Sequence, residues 1–599
     1  MPQYTAPLRD MQFVLHELLN TEQHYNNLPA FQGMVSQDLI NQYLQAAADF
    51  SEQELAPLNQ VGDREGCQWH DGEVTTPTGF KQAYTKYIEL GFPSLTSEER
   101  FGGQAMPNSL GTVISEMTGT ANWSWAMYPG LSHGAVRTIE HHGSEEQKNI
   151  YLPKLVSGEW TGTMCLTESH AGSDLGIIRT KAEPNDDGSY AITGEKIFIS
   201  AGEHDMAENI VHIVLARLPN APKGTKGISL FIVPKFNVNA DGSLAERNSV
   251  RCGSIEHKMG IHGNATCVMN FDRAKGYLIG PENRGLNCMF TFMNSARIGT
   301  AVQGLSASEL SYQGALAYAK ERIAMRSLSG AKAPEREADP IIVHPAVRQM
   351  LLTQKSFAEG GRALLYFLAQ QVDIVEQGET EEQRQYADNL LSFLTPIAKA
   401  FLTETGYESA NKGVQVFGGH GFISEHGMEQ IVRDTRIACL YEGTTEIQAL
   451  DLLGRKVLQS QGALLRDFTK IVHKFCESQK DNTQMVEFIQ PLAQLNKQWL
   501  DITTQIGQKA MANPDEAGAV AVDYLYYSGY VTLAYFWAKM ADVAQQRIAE
   551  GSTDAFYTVK IKTAQFYFAK ILPRIHAHVA IINTGANSLM QIDVDEFLF

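Results

Sequence analysis

Apolar positions recur at three- and four-residue spacings through most of the first 160 residues, so this region is predicted to be helical. Leu15, Leu18 and Leu19 share one apolar face, and Asp38 to Leu58 forms a second amphipathic stretch. A looser segment holds Gly62, Gly66 and Gly72; beyond it Leu110 to Ile139 is apolar and carries Trp123, Trp125 and Tyr128. Ser144 with Gln147 makes a capping box, which predicts a helix ending near Leu155, before Ser157-Gly158. The period changes near residue 161. Lys181 to Ser200 alternates about Asp187-Gly188, a hairpin signal, and Ile210 to Leu218 and Gly227 to Pro234 are short β-branched runs. Ala265 to Asp272 reads as the last strand of a compact β domain. The helical period returns at Leu286 and persists to about residue 458, broken by a polar loop at Ser327 to Pro340 and a Gly-rich stretch at 416–422. A third helical block, 465–599, follows the linker Gln459 to Gly462. In it Tyr524, Tyr527, Val531, Ala534, Tyr535 and Ala538 form a stripe that needs a partner surface. The pattern predicts an α+β, mainly α chain.

The stretch with the most chemistry is Arg433 to Leu458. An apolar run, Ile437 to Tyr441, leads to Glu442, and Gly443 lets the backbone turn sharply beside the carboxylate. Thr445 with Gln448 fits a capping box, and Ile447, Leu450, Leu453 and Val457 stripe the helix it would open. A carboxylate at the wall of an apolar cavity has a raised pKa and serves as a general base. The new helix's free N–H groups can receive an anion such as a pyrophosphate. A Glu-Gly pair taken alone is more often an ordinary surface turn, so other segments must decide.

Composition narrows the field. Hydrophobic residues at 44% and charged residues at 19% are globular values, and 599 residues suffice for three or four domains. The formal charge of -18 argues against a nucleic-acid binder, which needs a basic face. None of the seven Cys lies in a C-x-x-C pair, so neither a zinc site nor a disulfide framework is expected. His141-His142 reads as a solvated helix end rather than a metal pair. The N-terminus lacks a signal-peptide pattern. The most membrane-like run, Tyr524 to Ala538, falls short of the ~20 residues a span needs, so a soluble, cytoplasmic protein is expected. No nucleophile elbow fits a strand-to-helix context.

Four further segments settle the Glu-Gly question. They are MCLTESHAGSD at Met164 to Asp174, KIFIS at Lys196 to Ser200, YAKER at Tyr318 to Arg322 and GVQVFGGHGF at Gly413 to Phe422. The last is not a Rossmann fingerprint, because no strand leads into it and its glycine spacing differs. Together with R-D preceding Y-E-G-T-T-E-I-Q, these segments resemble those of the acyl-CoA dehydrogenases over roughly residues 36–460. Tyr4 to Leu19 and the last block resemble the extensions of larger bacterial members, fatty acyl-CoA and 3-methylmercaptopropionyl-CoA dehydrogenases among them.

The resemblance implies an N-terminal helical domain at 36–160 after an extension at 1–35, a middle β domain at 161–280, a helical bundle at 281–460 and an added helical domain at 465–599. It implies α,β-dehydrogenation of an acyl-CoA thioester to the trans-2-enoyl-CoA, as in fatty acid β-oxidation. Glu442 would take the α-proton, FAD the β-hydride, and an electron-transferring flavoprotein would re-oxidise the flavin. The FAD contacts implied are Met164, Leu166, Thr167, Phe198, Ser200, Arg322, Gln415, Gly419, Thr444 and Glu446. Arg322, Gln415 and Thr444 would reach FAD across a subunit interface. The substrate contacts implied are Ser173, Asn294, Arg297, Tyr441 and Gly443, with the helix Trp123 to Tyr128 at the pocket floor.

The chain departs from the family pattern at several places. His170 replaces a common Gly. Phe198 keeps the apolar face of a Trp but loses its indole N–H donor. Ile323 to Arg326 replace the usual residues after Arg322, with Arg326 as a substitute cation. Asn294 replaces a frequent Asp. Ala296 stands where a minority of relatives carry the base, which leaves the task to Glu442. Shorter members form tetramers; the added block would cover the surface they use and leave a homodimer. An acyl-CoA oxidase, and a non-catalytic CoA-ester binder on the same fold, are the alternative readings.

Overall fold

The structure is a computed structural model that describes residues 2–598 and divides into two compact units. One unit comprises Tyr43–Gly299 with Tyr4–Ala6; the other comprises Pro7–Gln42 and the chain from Thr300 onward, and the division falls within the helix Gly285–Glu321.

In the Tyr43–Gly299 unit the β domain is a seven-stranded sheet. Its strands are β3 (Trp160–Cys165), β4 (Lys181–Pro184), β5 (Tyr190–Ser200), β6 (Asn209–Ala216), β7 (Ser229–Pro234), β10 (Val250–Ile255) and β11 (Thr266–Ile279). Two small hairpins, β1–β2 (Gln68–His70, Glu73–Thr75) and β8–β9 (Phe236–Val238, Leu244–Arg247), lie outside it. The order is β3-β6-β7-β11-β5-β4, with β10 also on β11; β3 and β6 are parallel and the other pairs antiparallel. β6 and β7 are buried on both faces, which is why they read as continuous apolar runs. Val211, Ile213, Leu215 and Ile232 face a cluster containing Ile139, Leu152, Leu155 and Phe292, whereas Val214, Phe231 and Val233 face one containing Ile192, Ile199 and Met269.

The Ser144–Gln147 capping box forms and opens the helix Glu145–Ser157, closed by Gly158 at φ 84. The Asp187-Gly188 hairpin also forms, joining β4 to β5 with Gly188 at φ 81. The apolar stretch Leu110 to Ile139 is two helices, because Asn122 leaves helical geometry and its side chain caps the second by accepting from Trp125 N. The helical reading of the first 160 residues misses β1–β2, and the strand reading misses β8, β9 and β10. It also stops β11 at Asp272, seven residues before its end at Ile279. β1, β9 and β10 carry too little apolar alternation to signal a strand; pairing decides them.

In the other unit the helices Pro345–Gln377 and Glu381–Phe417 pack along each other, the second opened by a Thr380–Gln383 capping box. The helix Asp515–Ala549 is buried almost all round. Its Tyr524, Tyr527 and Tyr535 face the preceding helices: Tyr527 Oη donates to Leu495 O at 2.8 Å, Tyr524 Oη lies 2.8 Å from Thr503 Oγ1, and the Tyr535 ring meets Phe468. The Tyr524–Ala538 stripe therefore finds its partner largely inside its own block. The opposite face covers the long pair: Trp537 Nε1 donates to Ser356 O at 3.1 Å, and the Tyr530 ring sits 4.9 Å from Phe401. The same helix packs on Thr445–Leu450, the helix that follows Glu442.

A buried charge network joins four distant segments of this unit. Arg362 donates to Asp10 Oδ2 at 2.5 Å and to Glu309 Oε2 at 2.8 Å; Lys560 bonds Asp10 and, at 2.7 Å, Glu359, which also pairs with Lys355. Arg362 and Lys560 are 0% and 1% exposed, so these charges are stable only as a mutually satisfied set. Among the described residues no helix is long and apolar enough to cross a membrane.

Candidate active site

Glu442 sits in a short loop between the 3-10 turn Ile437–Cys439 and the helix Thr445–Leu450. It is half-buried, and its backbone is left-handed at φ 58, followed by Gly443 at φ 91. The left-handed region costs a non-glycine residue ~1–2 kcal/mol, and such strain persists only where the surroundings impose it. Here they do. Gln448 Nε2 donates to Glu442 O at 2.7 Å, and Lys399 Nζ donates to Gly443 O at 2.6 Å. Tyr441 Oη bonds Gln303 Oε1, and Gln303 Nε2 donates to Asp434 O at 3.1 Å. A Cβ at Gly443 would stand 2.7 Å from Gln448 Nε2, so glycine is needed for space as well as for φ.

The capping expectation is corrected by one residue. Thr444 is the N-cap, accepting from Ile447 N at 3.3 Å. Thr445 Oγ1 instead donates to Glu404 at 2.6 Å, and the Gln448 amide is spent on Glu442 O rather than on a capping box. Thr444 is half-buried and Glu446 exposed in the first turn.

A second group lies in the same unit. The Tyr318 ring stacks on Phe417 with centroids 4.0 Å apart, and Tyr318 Oη meets His420 Nδ1 at 2.8 Å. Ala315 and Ala319 pack with Val416 below them. These contacts bring the helix end carrying Arg322 to the Gly-rich turn Gly418–Phe422. Arg322, Gln415 and Gly419 are all exposed, and a Cβ at Gly418 or Gly419 would meet nothing within 4 Å. Arg326 does not serve as a substitute cation. Its guanidinium donates to Ala333 O and Asp339 Oδ1, at 2.9 and 3.2 Å, and to Arg336 O, and so ties its own loop together.

The third group belongs to the Tyr43–Gly299 unit. Met164 lies near the end of β3, and Leu166 and Thr167 continue from it, all half-buried. Ile197 N donates to Thr167 O at 2.9 Å, which ties this segment to β5. The pairing of β5 with β11 slips between Lys196 and Ile199, and at that bulge Phe198 takes φ 59 and turns outward, 58% exposed. Ser200 follows, half-buried. Buried Lys196 holds the junction from beneath, donating to Leu166 O and Glu168 Oε1, each at 2.9 Å. Burial pushes the Glu168 carboxyl up, but Lys196 and bonds from Thr180 Oγ1 and the Arg179 and Thr180 amides outweigh it, and the net shift is downward.

Ser173 is on the exposed loop after β3, and Asn294 and Arg297 share a face of the helix Gly285–Glu321. His170 turns back onto its own loop, 3.1 Å from Ile177 O. Trp125 and Tyr128 are fully buried. Trp125 Nε1 donates to Phe80 O, and Tyr128 Oη donates to Gly263 O and accepts from Ala265 N, so these two rings belong to the core rather than to a pocket floor. The helix end at His141-His142 is solvated at His141, which is exposed, while the half-buried His142 puts its Nε2 2.8 Å from Thr291 Oγ1. Lys399 and Gln303 are absent from the residues singled out by sequence, while Gln448 is read there only as a capping partner and Lys196 only as the first residue of KIFIS. A lysine inside an apolar run, as in Leu394 to Leu402 around Lys399, is the one signal that could have found one of them.

Four family models match the chain in order: the acyl-CoA dehydrogenase N-terminal domain over residues 38–159, its middle domain over 163–274, its C-terminal domain over 283–458, and the acetyl-CoA dehydrogenase C-terminal-like domain over 468–593. The 3-methylmercaptopropionyl-CoA dehydrogenase of Ruegeria pomeroyi is 40% identical over 593 residues, 98% of this chain and 99% of that one. A butyryl-CoA dehydrogenase of Syntrophomonas wolfei is 34% identical over 99% of each chain. Among solved structures, butyryl-CoA dehydrogenase from Megasphaera elsdenii superimposes with a TM-score of 0.58 at 25% identity, over 70% of this chain and 99% of that one. Caenorhabditis elegans ACDH-11 in complex with C11-CoA shares the fold over 97% of this chain and 95% of its own, with a TM-score of 0.76 at 20% identity.

Proposed function

The chain belongs to the acyl-CoA dehydrogenase family, and from that premise we propose that it oxidises an acyl-CoA thioester to the trans-2-enoyl-CoA with FAD, handing electrons to an electron-transferring flavoprotein. The observation that carries the proposal is the Glu442 turn. A single carboxylate is held in a strained backbone conformation by side chains that bond its own and the next carbonyl.

The residues fit FAD. An outward Phe198 ring offers an aromatic face to a planar ring, and Thr167, on the segment bonded to β5, and Ser200, two residues after Phe198, supply hydroxyls for hydrogen bonds along its edge. The exposed Arg322, on the helix end that Tyr318 joins to the Gly-rich turn, and the open Gly418-Gly419 backbone suit a diphosphate. When bound, FAD supplies the hydride acceptor for the substrate β-carbon. Met164 and Leu166 add apolar surface to the ring face, and Thr444 and Glu446 add polar groups at the turn after the base.

The steps that fall to the chain follow. The Glu442 carboxylate accepts the α-proton, and its backbone N–H donates to the thioester carbonyl as enolate charge develops there. Tyr441 and Gly443 flank the reacting carbons. Ser173, Asn294 and Arg297 orient the CoA ester, Arg297 supplying the cation its phosphates require. A turnover panel across acyl-CoA chain lengths, 3-methylmercaptopropionyl-CoA included, is the direct test. At least one ester should yield its 2-enoyl product, and no product from any ester would reject the reading.

Arg322, Gln415 and Thr444 are assigned to the FAD of a partner subunit in a homodimer. Arg322→Ala should lower FAD retention and dimer stability together, because a ligand shared between subunits couples the two. Loss of neither would remove the interface assignment. Residues 465–599 are proposed to mask the surface through which shorter relatives join dimers. The coverage of Phe401 and Ser356 by the helix Asp515–Ala549 supports this. Light scattering should give a dimer, twice 66.2 kDa; a tetramer stable on dilution would contradict it.

A further inference from the structure

Lys399 is the least expected charge near the base. It lies in the helix Glu381–Phe417 between Ala398 and Ala400, 1% and 0% exposed, and is itself 0% exposed. Removing an ammonium from water is costly, so a lysine in such a place needs charge or dipole partners to persist. Its Nζ donates to Gly443 O at 2.6 Å, a charge-assisted bond at the short end of the range. One residue earlier, Gln448 Nε2 holds Glu442 O at 2.7 Å. Two successive carbonyls, those of the two residues at positive φ, are therefore gripped by two buried side chains. Five residues along the same helix, Glu404 accepts from Thr445 Oγ1 at 2.6 Å. One rigid helix thus holds the chain after the base at two points, Gly443 and Thr445.

We propose that Lys399, with Gln448, is a positioning residue for Glu442: its ammonium fixes the Gly443 carbonyl and so locks the left-handed turn that aims the carboxylate. The inference rests on Glu442 being the base. A left-handed Glu released from its restraints relaxes to an ordinary backbone conformation, and the carboxylate moves with it. A displacement of about 1 Å at a reacting group is enough for a ~100-fold loss of rate. Neither side chain is assigned to substrate or flavin, so binding should survive their loss.

The test uses the full-length holoprotein with Lys399→Met, which keeps volume but removes the donor, and Gln448→Leu as a second variant. For each, kcat should fall about 100-fold while KM for the acyl-CoA, FAD content and melting temperature stay near wild type. The deuterium isotope effect with α-dideuterated substrate should rise as proton abstraction becomes limiting. A kcat within about threefold of wild type overturns the proposal, as does a parallel loss of kcat, substrate binding and FAD, which marks general damage. If Lys399→Met does not fold, Gln448→Leu decides on the same outcomes. Glu442→Gln is measured alongside. Full turnover in that variant overturns the base assignment itself, whereas an inactive Glu442→Gln with an unimpaired Lys399→Met overturns only the positioning role.

Discussion

Glu442→Gln should purify yellow, with FAD bound, and lose turnover by roughly 100- to 10,000-fold, the range general-base catalysis supplies. The substitution keeps volume and hydrogen-bonding capacity, but an amide cannot accept the α-proton. The turn should survive it, because the bonds from Gln448 and Lys399 end on backbone carbonyls that glutamine retains. Ala296 offers no proton acceptor at the alternative helical position, so no second base is at hand there. Turnover with an artificial electron acceptor, read beside the flavin spectrum, checks both halves. Substantial dehydrogenation would move the base elsewhere.

The second large effect is on stability. Lys560→Met leaves two buried carboxylates, Asp10 and Glu359, each short of a partner, and breaking a buried pair in this way costs ~3–5 kcal/mol. The thermal midpoint should fall well below that of a surface control such as Lys470→Met. Burial works against the charged form of Asp10, yet Lys560 and Arg362 outweigh it and hold the carboxyl down to about 2. The sign follows from a native pKa below the unfolded one of about 3.9. The charged pair contributes stability in full above that unfolded value and loses it as pH falls toward 2. Asp10→Asn should be less stable than wild type at pH 7, and the gap should narrow on acidification. A gap that stays constant from pH 7 to pH 2.5 would show that the ionised Asp10 does not stabilise the fold.

Where local chemistry decides an element, it was legible in the sequence. The Ser144–Gln147 box and the Asp187-Gly188 hairpin stand where residue spacing put them. At Thr444-Thr445 the same logic failed by one residue, because Gln448, the partner a Thr445 box requires, is claimed by Glu442 O across the turn. Arg326 failed for a similar reason: sequence shows a cation near Arg322, and only the folded loop shows it spent on Ala333, Arg336 and Asp339. The Asp10–Arg362–Lys560 set was beyond reach. Its members lie 352 and 550 positions from Asp10, and no periodicity links them. At the site, a carboxylate before glycine after an apolar run would not single out Glu442 by itself; it is proposed as the base because the surrounding segments resemble those of the acyl-CoA dehydrogenases. The side chains that hold its turn were not legible in the sequence: Lys399 shows only as a lysine in an apolar run, and Gln448 looks like an ordinary helix residue until its carbonyl partner is in view.

Glu442 is proposed to take the α-proton of an acyl-CoA, with FAD, when bound, supplying the hydride acceptor. An anaerobic single turnover reads this directly. Oxidised holoprotein is mixed with each acyl-CoA, and flavin bleaching is followed with the 2-enoyl-CoA formed. Bleaching with one enoyl-CoA per flavin in the wild type, and none in Glu442→Gln, is the predicted result. A wild-type flavin that stays oxidised with every ester, or a Glu442→Gln flavin that bleaches at the wild-type rate, would contradict it.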